Sequence, residues 1–209
     1  MRKIALAVSL AAGTGLLAAC AMMQTTPQER AKELMERDFH AQGIAGMDRL
    51  NPDAVVAACN KYANNPPAEL TDKLQREQYA TVKFPADGKY LGDWKAGEKI
   101  AQRGRGMTWR DKPHKTSRGE PNGGGCYNCH QIGPDTTSFG TIGPSLYNFG
   151  KLRGYTPEVQ RYAYAKIYNA KSYSVCSQMP RFGLVDALTE DQIKDLVALL
   201  MDPKSPVNR

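Results

Sequence analysis

One pentapeptide in this chain combines residue types and a spacing that could do redox chemistry. It reads Cys126-Tyr127-Asn128-Cys129-His130. Two thiols separated by two residues and followed directly by an imidazole form the C-x-x-C-H sequence to which c-type haem is attached. In that chemistry the thiols bond to the vinyl groups of one porphyrin, and the histidine binds the iron. The pattern therefore predicts covalent haem on Cys126 and Cys129, with His130 as an axial iron ligand.

Cysteine pairs at this spacing also occur in zinc sites, in redox dithiols and in simple disulfides. A structural zinc site needs a second pair of cysteine or histidine ligands nearby, and a thioredoxin-like dithiol needs a βαβ setting. Neither context surrounds residues 126–130, and a disulfide leaves His130 without a role. The sequence contains one C-x-x-C-H motif, so it predicts one covalently bound haem c.

Met179 is the candidate for the second axial ligand. It lies in the sequence SQMPRFG at residues 177–183, whose proline and final glycine favour an extended loop over a helix. Met107 lacks such a loop, and Met201 falls in a predicted helix. A thioether raises the reduction potential of haem iron, and a His/Met pair fills both axial positions. An iron held in this way passes electrons. If Met179 is easily displaced, the open iron would instead bind a gas or peroxide.

A second loop, GTIGPSL at residues 140–146, is a candidate for the other side of the haem pocket. A metal-bound histidine usually donates its second ring nitrogen to a carbonyl or carboxylate. The carbonyl of Pro144 is the candidate acceptor for His130. An ordinary Gly-Pro turn is the alternative interpretation.

Helices are predicted around these loops. One runs from Asp93 to about Arg103, and its Gly97 would let another helix approach closely. A second follows Thr156, an N-cap with proline and glutamate in the first turn. A third begins at Thr189, which forms a capping box with Gln192. Over residues 90–202 the order of helix, haem motif, Gly-Pro loop, helix, methionine loop and helix resembles the all-α class I cytochrome c fold.

The N-terminal part of the chain has a different character. A basic start and an apolar run lead to Cys20, which predicts an export signal over residues 1–20. Residues 17–20 resemble a bacterial lipobox, which would attach a lipid to Cys20; cleavage at an A-x-A site would instead release a soluble chain. We expect a periplasmic protein, held to a membrane through Cys20 in the first case. The formal charge is +7, and about +5 remains once the predicted signal with Arg2 and Lys3 is removed. This charge suggests an acidic partner or good solubility, and export makes nucleic acid an unsuitable target.

Residues 21–88 are predicted to be a helical extension and residues 89–209 the haem-binding domain. Candidate helices in the extension begin near Thr26, near Asn51 and near Pro67, and none is apolar enough to form a core alone. The first has an apolar face that must be covered by another protein, which we favour, or by the haem domain. This face consists of Ala31, Leu34, Met35 and Phe39.

Several motifs together resemble SoxX, the smaller subunit of the SoxAX cytochrome of bacterial sulfur oxidation. They are the glycine-preceded C-x-x-C-H motif, the loop at residues 140–146, the Met179-Pro-Arg-Phe-Gly183 segment and the LTEDQI sequence at residues 188–193. The long N-terminal region and the lipobox-like sequence are not part of this resemblance.

The resemblance implies a role in a complex that joins thiosulfate oxidatively to a cysteine of a carrier protein, SoxYZ, and releases two electrons. The catalytic haem of such a complex belongs to the larger SoxA subunit. This chain would be the electron-accepting subunit of that L-cysteine S-thiosulfotransferase and would not catalyse alone. Its expected partners are a SoxA-like haem subunit and, transiently, a SoxYZ-like carrier and a downstream cytochrome.

The alternative is a free-standing shuttle cytochrome of a respiratory chain. A shuttle needs a small basic docking surface. Eight lysines or arginines lie between Lys95 and Arg118, against only Glu98 and Asp111. Such a run serves equally as a solvated face.

Two cysteines remain outside the haem motif and Cys20. Cys59 and Cys176 form an even pair in a chain predicted to reach an oxidising compartment, so a disulfide is plausible. Two buried thiols are the other possibility.

Overall fold

The computed structural model describes residues 25–103, 106–111 and 120–209. The predicted export signal, Cys20 and half of the basic residues between Lys95 and Arg118 lie outside these ranges. Within them the regular elements are helical, apart from an isolated bridge between Gln42 and Ala45. The predicted all-α class is confirmed.

The helices of the described ranges are short. None has the length and apolar character that crossing a bilayer requires. The α-helices are α1 (Pro27–Asp38), α2 (Ala54–Lys61), α3 (Ala68–Ala80), α4 (Trp94–Gln102), α5 (Phe149–Arg153), α6 (Pro157–Tyr168) and α7 (Glu190–Met201). Single 3-10 turns occur at Met47–Leu50, Cys126–Asn128, Ala170–Ser172 and Pro206–Asn208.

The helix ends follow local sequence signals. Thr156 and Thr189 accept the predicted backbone hydrogen bonds at the starts of α6 and α7, and Gln192 completes the capping box. The helix expected near Asn51 starts later, because the carboxylate of Asp53 accepts from Val56 N at 3.0 Å and caps α2. α5 was not predicted, since five residues are too few to establish a helical period.

The described residues divide into two compact units, one that ends at His40 and one that begins at Ala41. The first contains α1, which has a complete capping box between Thr26 and Glu29 and no buried residue. The second unit contains most of the predicted extension (residues 21–88) together with the predicted haem-binding domain (residues 89–209). Val82 and Tyr90 are buried in the same core as α6 and α7, so residues 41–88 belong to this unit.

The main core of the second unit is organised by the packing of α4 against α7. A Cβ atom on the buried Gly97 would overlap the backbone carbonyl of Asp195. The two helices are also joined at one end, where Gly92 N donates to Lys194 O at 3.0 Å and Asp93 N donates to Asp195 Oδ1 at 2.7 Å. The close helix approach predicted from Gly97 is confirmed.

A smaller core joins the extension to the segment that contains Met179. Its buried residues are Val55 and Cys59 of α2, Leu74 of α3 and Val175. Cys59 is disulfide-bonded to Cys176, which decides between the two possibilities left open by the sequence. α2 and α3 bury little apolar surface alone, and Val175 and Cys176 complete their core.

Gly97→Ala is expected to lower the free energy of unfolding by roughly 1–3 kcal/mol, because the added methyl group forces α4 and α7 apart. In an open helix the same change would stabilise by up to about 1 kcal/mol. Urea unfolding of the holoprotein, followed by far-UV circular dichroism, measures the effect. Gly106→Ala is the control, since its nearest neighbour would lie 3.8 Å away. Equal stability of Gly97→Ala and wild type would contradict the close crossing.

Candidate functional site

The haem motif forms a tight turn that is attached to α4. Cys129 N and His130 N both donate to Cys126 O, at 3.1 and 2.9 Å. Gly125 precedes the turn with a φ of 66°, a left-handed conformation that favours glycine. Gly125 N donates to Ile100 O at 3.1 Å. The motif is therefore fixed to the end of the helix that packs against α7.

Both cysteines of the motif are free thiols. Each is partly buried, and Cys126 packs against the main core. The pKa of the Cys126 thiol is raised to about 11, mainly by burial and to a smaller extent by the neighbouring Cys129. The structure thus provides two unbridged sulfurs at the spacing that thioether attachment requires.

His130 is oriented by the loop at residues 140–146. The distance from His130 Nδ1 to Pro144 O is 2.6 Å. Because a carbonyl can only accept, Nδ1 carries the hydrogen and donates it. The lone pair of the ring is then on Nε2, the nitrogen left for a metal. The predicted contact between His130 and Pro144 is present in the structure.

The same loop is held along the haem motif by backbone hydrogen bonds. Gly140 N donates to Tyr127 O at 2.9 Å, and Gly143 N donates to Cys129 O at 2.8 Å. A Cβ atom on Gly143 would overlap the His130 ring. Glycine at this position allows the backbone to lie directly against the imidazole and restricts its rotation.

Met179 lies in an irregular segment between α6 and α7. It is partly buried and, like Cys126, lies at the edge of the main core. Met179 N donates to Ser177 Oγ at 3.2 Å. Two residues after Arg181, Gly183 N donates to Tyr168 O at 3.0 Å, which attaches the segment to the end of α6. Met107 lies elsewhere, in a surface cleft lined by Ile44, Asn122, Val185 and Leu188, among others.

The donor set fits a covalently attached haem. It offers two free thiols for the vinyl groups, an imidazole whose Nε2 lone pair is available, and a thioether on a separate loop. Apolar side chains at the edge of the main core, including Leu146, Val159, Phe182 and Leu184, are suited to contact with a porphyrin. When bound, haem supplies one-electron chemistry.

Comparison with known proteins agrees with this donor chemistry. Residues 123–203 match the family model of cytochrome c. This segment is similar to cytochrome c domains. Cytochrome c domains carry covalently bound haem c and transfer electrons, and the helical architecture is consistent with a class I cytochrome c fold. The match includes the haem motif, the loop at residues 140–146 and Met179.

A related protein can be aligned over more residues than the family model covers. An uncharacterized lipoprotein of Aquifex aeolicus (strain VF5) is 40% identical over 137 residues, which are 64% of this chain and 61% of that protein. The chain therefore spans less than two thirds of the length of this relative. The family model supports a c-type cytochrome, and neither comparison distinguishes the SoxX family.

Sequence reasoning missed some residues that shape this site. Gly143 lies in the loop at residues 140–146, but only the fold shows that it touches His130. Arg181 lies in the SQMPRFG sequence at residues 177–183, and its ion pair with Asp53 joins residues 128 positions apart. The loop motif was a signal for Gly143, whereas a long-range ion pair has no local signature.

Gly143→Ala is expected to displace the His130 ring, because the new methyl group would occupy the space of the imidazole. In the purified holoprotein the ferric electron paramagnetic resonance spectrum and the reduction potential should both change, since both depend on the axial ligands. Ile142→Ala is the matched control, because this neighbouring side chain is 81% exposed. Identical spectra for Gly143→Ala and wild type would show that the loop does not restrain His130.

Proposed function

We propose that this protein is an electron-transfer cytochrome with one haem c, whose iron is held by His130 and Met179. The main support for this proposal is the hydrogen bond from His130 Nδ1 to Pro144 O at 2.6 Å. This bond fixes the tautomer in which Nε2 can bind iron, and it makes the imidazole a stronger donor. The position of Met179 at the edge of the main core supports a thioether as the second ligand.

Two axial side chains leave no coordination position for a substrate. The chain therefore accepts and passes single electrons, and bond-making chemistry takes place on another protein. A thioether also favours the ferrous state, which suits an acceptor of comparatively high potential. These properties favour electron transfer over the gas-binding alternative.

Within this class we propose a SoxX-like role, as the subunit that accepts electrons released when thiosulfate is joined to a carrier cysteine. The proposal is supported by the resemblance of the sequence motifs, and especially by the loop at residues 140–146. Ile142 of this loop is 81% exposed, and Phe139 beside it is 38% exposed. Exposed apolar side chains next to the haem motif suit a lasting interface with a larger, SoxA-like haem subunit.

A free-standing shuttle is the second candidate, and one observation favours it. α2 and α3 complete their small core with Val175 and Cys176 of the same chain. This part of the extension is therefore used within the protein, and it does not need a partner to be covered. The two candidates share the same haem site and differ in whether a second haem protein remains bound.

We propose that the protein works in the periplasm and is held to a membrane by a lipid on Cys20. The lipobox-like sequence at residues 17–20 and the relative named a lipoprotein support this placement. A lipid anchor would keep the cytochrome c domain close to membrane-bound electron acceptors.

Met179→Ala is expected to remove the thioether-to-iron charge-transfer band at the red end of the visible spectrum and to lower the reduction potential. Met107→Ala is the matched control and should change neither quantity. The measurements are the visible spectrum of the oxidised protein and a potentiometric titration. Retention of the band in Met179→Ala would show that another residue binds the iron.

The SoxX-like role is tested by reconstitution and purification. First, the tagged protein is purified from its native extract, and the proteins that co-purify are stained for haem. Second, the purified protein is mixed with thiosulfate, a SoxYZ-like carrier and the larger haem subunit, and reduction of its haem is measured. An equimolar second haem protein and thiosulfate-dependent reduction that requires both components are expected. A lone haem band, with no reduction in the reconstituted mixture, would favour the shuttle.

A further inference from the structure

The segment at residues 174–183, here called the methionine segment, is anchored on both sides of Met179. Three residues before it, Cys176 is disulfide-bonded to Cys59. Two residues after it, Arg181 Nη1 lies 2.5 Å from Asp53 Oδ2. Cys59 belongs to α2, and Asp53 is the N-cap of the same helix. One short helix of the extension therefore holds both flanks of the predicted iron ligand.

The Arg181 side of this ion pair is largely buried, whereas the Asp53 side chain is 43% exposed. The Arg181 side chain is only 19% exposed, and Nη1 also donates to Gln78 Oε1 of α3 at 3.4 Å. Gln78 is itself held by Asn169, whose Nδ2 donates to Gln78 Oε1 at 3.0 Å. A partly buried ion pair is screened less by water and salt than an exposed one. The additional hydrogen bond to Gln78 restrains Arg181 beyond what the ion pair alone would do.

Asp53 is poised to remain ionised in this pair. Burial by itself opposes ionisation, but the hydrogen bonds from Val56 N and Arg181, together with the positive charge of Arg181, lower the pKa of the Asp53 carboxyl overall. The same carboxylate caps α2 through Oδ1 and binds Arg181 through Oδ2. The start of the helix and the end of the methionine segment are thus held by one side chain.

The inner side of the methionine segment is held as well. The buried Lys171 donates from Nζ to Val175 O at 3.1 Å and to Ser177 O at 3.0 Å. Val175 is buried against Val55 of α2 in the small core. A movement that carried Met179 away would therefore have to disturb the disulfide, the ion pair or this core.

We propose that Arg181 and the Cys59–Cys176 disulfide are positioning elements that keep Met179 on the haem iron and exclude external ligands from the sixth position. The inference rests on the proposed function, because it requires Met179 to be the ligand. Residues outside the ligand set orient metal ligands, and their removal typically changes metal affinity by about 10- to 100-fold. The extension would then act as a clamp on the thioether.

The test compares carbon monoxide binding to the ferrous holoprotein, which requires Met179 to leave the iron. Ascorbate reduces the haem and leaves the disulfide intact. Arg181→Gln and the double change Cys59→Ser with Cys176→Ser are expected to bind carbon monoxide about tenfold faster than wild type, or more. Arg181→Lys keeps the charge and should restore part of the restraint.

Asp87→Asn is the matched control, since it removes an ion pair with Lys194 at 3.8 Å and leaves the methionine segment untouched. Selective reduction of the disulfide in folded wild-type holoprotein gives a further sample that does not depend on the folding of a variant. Its carbon monoxide binding should accelerate in the same way.

The outcomes distinguish failure of the Met179 ligand assignment from failure of the proposed restraint by Arg181 and the disulfide. If wild type lacks the thioether charge-transfer band, the assignment of Met179 fails, and this inference fails with it. If wild type has the band but the Arg181 and cysteine variants bind carbon monoxide as slowly as wild type, the clamp is refuted and the proposed function stands. Equal acceleration by Asp87→Asn would also refute it, since general loosening would then explain the effect.

Discussion

The close crossing of α4 and α7 at Gly97 is the constraint on which the second compact unit depends. The absence of a side chain lets the backbone of α4 lie against the carbonyl of Asp195, and two hydrogen bonds join the helices at one end. Close-packed interiors transmit such constraints because they have little free volume. The position of α4 then fixes the haem motif, since Gly125 N donates to Ile100 O.

The predicted iron donors come from parts of the chain that this packing holds in different ways. His130 follows a turn attached to α4, and its ring is held by the backbone of residues 143 and 144. Met179 lies in a segment with no regular structure, which is attached to α6 through Tyr168 and to α2 through Cys176 and Arg181. The histidine side is ordered mainly by local backbone pairing, and the methionine side mainly by contacts with the extension.

The extension illustrates how a marginal helical region becomes ordered. α2 has eight residues, which is too short for an isolated helix to be stable in water. Burial of Val55 against Val175, the disulfide and the Asp53–Arg181 ion pair supply the missing stabilisation. The same contacts restrain the methionine segment, so the stability of α2 and the order of the site are coupled.

The sequence alone determined the features that depend on neighbouring residues. The C-x-x-C-H motif predicted covalent haem, and Thr156, Thr189 and Gln192 marked helix starts, because thioether attachment and helix capping involve residues a few positions apart. Tertiary structure alone decided that Cys59 pairs with Cys176, that Asp53 binds Arg181 and that residues 41–88 share a compact unit with the haem motif. These contacts join distant residues, and their free energy depends on a burial and a geometry that exist only once the chain has folded.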